Sequence, residues 1–157
     1  MINKTNQTKK ILISLDYDKS SKKIAEQGFA LALAMNAEIV LLHVISEETV
    51  YYSDYSYRHE LEIDFTENIE ELTRKFLEQT KTRLENNSIQ TLVLKGDIAK
   101  TILETAKEKH VDIIVLGSHS RKWMAKIIMG SRAEEVIKKT SIPLFIVPTA
   151  YQFEDLE

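Results

Sequence analysis

Two sets of residues in this chain have the types and spacing that ligand chemistry needs. Asp16 follows the apolar run Ile11 to Leu15. Gly117 follows a second such run, Ile113 to Leu116, and Gly130 with Ser131 opens a helical pattern further on. A helix start reached through a glycine presents backbone N–H groups that lack intrahelical partners, which suits an anion such as phosphate. In an open parallel sheet, ligands sit beyond the carboxyl ends of the strands where the winding reverses. If the first and fourth strands are neighbours there, Asp16 can accept from ribose hydroxyls on one lip while amides of Gly130 and Ser131 hold phosphate on the other. A nucleotide satisfies both. Taken alone, an Asp after a strand is more often a turn or cap residue, so its weight comes from the pairing with the glycine loop.

The elements that must position these residues are legible. Lys10 to Leu15, Glu38 to Val44, Ile89 to Lys95, Val111 to Leu116 and Leu144 to Val147 are short, mostly continuous runs of Ile, Val and Leu, the pattern of strands covered on both faces. Helical periodicity separates them. Ser20 to Met35 carries an apolar stripe ending at Asn36, and Phe65 to Glu85 places Ile69, Leu72, Phe76, Thr80 and Leu84 three or four apart. Asp97 is positioned to cap a third helix running to His110. Ser131 and Glu134 form S-x-x-E, predicting a capping box at the head of a fourth that stops near Pro143. Alternation of strand and helix predicts an α/β fold with a parallel sheet and helices on both faces.

Composition narrows the rest. The chain has 157 residues and 43% apolar content, the scale of one domain over residues 1–157 with a core of about 9–148. A net charge of -3 offers no general attraction to nucleic acid or anionic lipid, so neither is expected as a partner. The start MINKTNQTKK lacks the apolar core of a secretory signal and no run is long enough to span a bilayer, which predicts a cytoplasmic protein. Without cysteine there is no disulfide, thiolate nucleophile or Cys-ligated zinc. G-x-S-x-G, H-E-x-x-H and G-x-x-x-x-G-K-[ST] are absent, which removes the hydrolase, metalloprotease and P-loop mechanisms that depend on them.

The segments KKILISLD, AEIVLLHVI, KGDIAKTILETAKEKHVDIIVLGSHS and MGSRAEEVIKKTSIPLFIVP together resemble the universal stress protein family, small single-domain type, from about Lys9 to Pro148. The resemblance implies a Rossmann-like sheet of order 3-2-1-4-5, akin to the adenine nucleotide alpha hydrolases, and ATP, with or without magnesium, as cofactor. The family's ATP pattern is Gly, two residues, Gly, nine residues, Gly, then Ser or Thr. Here Gly117, Ser120, Gly130 and Ser131 stand at those positions, so the spacing is intact and Ser120 replaces one glycine. A Cβ there costs roughly 1 kcal/mol or more if the loop needs a left-handed residue. Carried over residue by residue, the resemblance has Asp16 meet the ribose, the Val44 backbone meet the adenine, Gly117 border the sugar, and Gly130, Ser131 and Arg132 hold phosphates. It also implies a homodimer through Leu144 to Val147, an apolar stretch bounded by Pro143 and Pro148 that is an association hazard as a sheet edge.

Other residues have plainer readings. Arg121, Lys122 and Lys126 read as surface charge, and Trp123 as loop packing. His43 reads as a core or crevice histidine, and His119 has no identifiable catalytic partner. The Tyr-rich stretch Ser46 to Asp64 is either a surface crossover or a flap over a ligand. The resulting expectation is an ATP-binding regulatory or stress-response module with at most slow hydrolysis. The rivals are a nucleotide-free dimeric interaction protein of the same fold and, more weakly, a nucleotide-dependent enzyme.

Overall fold

The computed structural model describes residues 7–46, 68–118 and 130–149. Nine elements alternate along them: β1 Lys10–Ser14, α1 Ser21–Met35, β2 Glu38–Ile45, α2 Ile69–Arg83, β3 Gln90–Lys95, α3 Ile98–Glu108, β4 Ile113–Gly117, α4 Ser131–Lys139 and β5 Leu144–Val147. The strands form one parallel sheet in the order β3-β2-β1-β4-β5. Both the expected fold class and the expected order are present. The chain winds outward from β1 to β3, returns to the other side of β1, and winds outward again. The reversal lies between β1 and β4.

Burial explains the unbroken apolar runs. Every residue of β2 after Glu38 is buried, because helices cover both faces of the sheet. Ile11, Ile13, Leu15, Leu41 and Val115 pack with Ile24, Ala25 and Ala32 of α1 and Leu77 of α2. On the opposite face Leu12, Leu42, Ile114 and Leu116 pack with Ala99, Ile102 and Ala106 of α3 and Val136 of α4. Gly28 lets α1 sit close on the sheet: a Cβ there would come within 2.6 Å of Ile13 Cδ1.

The helix ends follow local chemistry. Asn36 closes α1 in the left-handed conformation, at φ 51°, as its type predicts. Asp97 caps α3 by accepting from the Lys100 N–H at 2.9 Å. For α2, Asn68 is extended and accepts from the Glu70 N–H, capping a helix that begins at Ile69; the expected start at Phe65 lies outside the described residues. Asp112 accepts from the Lys10 N–H at 2.8 Å, hooking β4 to β1 just before the strand proper begins at Ile113.

Candidate functional site

The reversal in winding brings the end of β1 against the end of β4 and the head of α4. A crevice opens there, lined by Ser14, Asp16, Gly117 and Arg132 together with apolar side chains that include Ile24 of α1, Ile98 and Ile102 of α3 and Val136 of α4. Its enclosed part measures only about 40 Å³. That is room for a few waters, so an adenosine would lie mostly across the mouth. The convergence of these apolar members with Asp16 was not visible in the sequence.

Ser118 organises the lip next to Gly117. Its N–H donates to Val147 O at 2.9 Å, its Oγ accepts from the Thr149 N–H at 3.0 Å, and its carbonyl accepts from the Gly130 N–H at 3.2 Å. The last bond ties the two ends of the glycine-bounded loop together. The Gly130 amide is thereby engaged within the protein, and the first-turn amides of α4 without intrahelical partners belong to Ser131, Arg132 and Ala133. No sequence signal marked Ser118 for this role. Beside it, Thr149 Oγ1 is buried without a hydrogen-bond partner.

The expected capping box is absent. Gly130, extended at φ -57° and ψ 147°, is the N-cap, and its carbonyl accepts the first helical bond from the Glu134 N–H at 3.0 Å. Ser131 is already helical, and no side chain caps α4. Gly130, tethered to Ser118, takes the N-cap place, and the helix starts at Ser131, one residue earlier than the S-x-x-E pattern implies. The Ser131 hydroxyl, exposed on the first turn, is not committed to capping.

Across the crevice, Arg132 Nη1 lies 3.7 Å from Asp16 Oδ1, with the two side chains 48% and 43% exposed. By sequence these residues belong to opposite ends of one ligand; the structure joins them. A pair this exposed contributes little to stability, about 0 to 1 kcal/mol, and opens readily. Val44 is buried in β2 opposite Leu94 and does not line this part of the crevice. Its neighbour His43 is buried, with Nδ1 2.8 Å from Leu15 O. Burial pushes the His43 imidazole below its ordinary range, more strongly than the Leu15 bond and Asp16 raise it. It is therefore neutral at pH 7, donating through Nδ1 to Leu15 O. Ser120, His119, Arg121, Lys122, Trp123, Lys126 and the Tyr-rich stretch beyond Ser46 lie outside the described residues.

An open parallel α/β sheet with a crevice at its winding reversal, an acidic lip and a helix N-terminus facing it defines a small-ligand-binding class of fold. Comparison with known proteins identifies the family. The model of the universal stress protein family matches residues 7–148, and the chain belongs to this family. Universal stress protein MJ0577 of Methanocaldococcus jannaschii is 28% identical over 152 residues, covering 88% of this chain and 94% of that protein. Universal stress protein YxiE of Bacillus subtilis is 31% identical over 144 residues, covering 88% and 97%. The solved structure of MJ0577 matches at a TM-score of 0.69 and 28% identity, covering 92% of this chain and 98% of that one. A universal stress protein solved in complex with cAMP shares the fold at a TM-score of 0.66 and 16% identity, covering 91% and 98%.

Proposed function

We propose that this chain is an adenine-nucleotide-binding regulatory module of the universal stress type, with ATP as its ligand. The observation that carries the reading is the meeting of Asp16, Gly117 and the α4 N-terminus at one crevice, with Arg132 and Asp16 3.7 Å apart across it. In this reading Asp16 accepts from the ribose hydroxyls. The amides of Ser131, Arg132 and Ala133 hold phosphate, aided by the Ser131 hydroxyl and the positive end of the helix. The Val44 backbone and Ser120 contact adenine and phosphate by family analogy. Among the described residues no group of three or more His, Asp or Glu could hold a metal, so magnesium would arrive on the phosphates. The cAMP complex of a relative with this fold is in keeping with an adenine nucleotide.

A homodimer through Leu144 to Val147 belongs to the same reading. Among the described residues β5 pairs only with β4, and its Phe145 is an exposed large apolar residue. One observation favours the rival, a nucleotide-free dimeric interaction protein: the enclosed volume is small and the two charged lips already neutralise each other. Denaturing the purified protein, identifying any released nucleotide, and titrating ATP and AMP by calorimetry separates the two. Released adenine nucleotide or micromolar ATP binding supports the first reading; neither released nucleotide nor heat of binding supports the second.

A further inference from the structure

The contact between Asp16 and Arg132 bears on which ligands the crevice accepts, provided that the site takes nucleotides as proposed. Each residue is the other's partner in the structure. An occupant that takes the Asp16 carboxylate competes with the Arg132 guanidinium, which lies 3.7 Å from Oδ1. The displaced guanidinium is a cation on the first turn of α4, where the helix end is itself positive and disfavours it. An anion at that place relieves both charges. A ligand bearing hydroxyls alone does not.

We infer that Arg132 is an internal counter-ligand which makes the crevice select nucleotides over nucleosides: a phosphate-bearing ligand repairs the ion pair that its own ribose breaks, and a nucleoside leaves it broken. Selectivity then arises from a penalty on the wrong ligand as well as an attraction to the right one. The size of the penalty follows from exposure. With the side chains 43% and 48% exposed the pair is screened by water, so nucleoside binding is weakened only about two- to five-fold. The attraction is larger, because a guanidinium–phosphate contact is charge-assisted and bidentate, and losing it weakens nucleotide binding by about ten-fold.

The two contributions move in opposite directions when the guanidinium is removed, so the selectivity role and the nucleotide reading beneath it can fail separately. Calorimetric titrations of the full chain with ATP and with adenosine are compared for wild type, Arg132→Gln and Arg132→Lys. Arg132 is exposed on α4, so the variants are expected to fold, and circular dichroism verifies it. The expected result for Arg132→Gln is ATP bound about ten-fold more weakly and adenosine bound about two- to five-fold more tightly, with Arg132→Lys in between. If ATP binds wild type but adenosine affinity is unchanged or reduced in Arg132→Gln, Arg132 is a phosphate contact only and the counter-ligand role is overturned. An ATP to adenosine ratio that stays the same overturns it equally. Absence of heat from both ligands in all three proteins overturns the nucleotide reading, and the inference with it.

Discussion

Gly117→Ala decides what the glycine at the end of β4 is for. Two roles compete: close approach of a ligand, and close approach of α1. The structure supplies a strong packing reason on its own. A Cβ built on Gly117 would lie 2.6 Å from Ile24 Cδ1, 3.3 Å from Ile24 Cγ1 and 3.2 Å from Thr149 Cγ2. The first distance is about 1 Å inside ordinary carbon contact. Ile24 is 3% exposed within the cluster under α1, so the only room its terminal methyl has to move into is the small crevice it lines. Relief requires an unfavourable rotamer or a shift of α1, which costs about 1 to 3 kcal/mol. For a chain of this length that lowers Tm by about 2 to 12 °C. The assay is a double-mutant cycle followed by urea denaturation. Ile24→Val removes Cδ1 and alone costs about 0.5 to 1.5 kcal/mol. In the Gly117→Ala background it also removes the clash, so the double variant is expected to be more stable than additivity allows by roughly 0.5 to 2 kcal/mol. Strict additivity, or a Gly117→Ala variant as stable as wild type, refutes the packing explanation.

Other consequences can be checked alongside. Asp97→Ala should cost about 1 kcal/mol in denaturant melts because it removes the α3 cap, whereas Ser131→Ala should stay within about 0.5 kcal/mol; equal losses would contradict the assignment of Gly130 as the α4 cap. His43 is held neutral by burial, so the unfolded chain takes up its proton first on acidification. Its contribution to stability is complete above pH 6.5 and is lost as pH falls below that value toward the lowered native range, with a slope approaching about 1.4 kcal/mol per pH unit. Stability profiles of wild type and His43→Gln from pH 8 to 5 should therefore converge toward acid, and divergence would reverse the sign. Phe145→Lys places a charge on the exposed face of the β5 edge and should yield monomers on a sizing column; an unchanged dimer rejects that interface.

How much could be read from sequence depended on how local the cause was. The central strands β1, β2 and β4 are nearly continuous apolar runs buried on both faces, the signature of a parallel sheet, whereas the edge strands β3 and β5 are only partly buried. Asp97 and Asn36 act on their own helices, so their type and place sufficed. Ser131 misled because S-x-x-E is a local pattern, and the residue that overrides it, Ser118, reaches Gly130 across the loop. The Asp16 to Arg132 contact was hidden for a related reason. Each residue was assigned to a ligand, and nothing in the spacing says that two members of a distant pair meet when the sheet reverses its winding. The same long-range closure makes Ile24, Ile98, Ile102 and Val136, from three different helices, line one crevice.

Whether the acidic lip at Asp16 and the amides at the head of α4 grip one adenine nucleotide is tested most directly by amide NMR of the isotope-labelled full chain, titrated with ATP. Saturable shifts are expected at Asp16, Gly117, Ser131, Arg132 and Ala133, with the amide protons of the α4 first turn moving furthest. ATP-dependent shifts confined to other parts of the molecule, with those five amides unmoved at saturation, would contradict a shared grip.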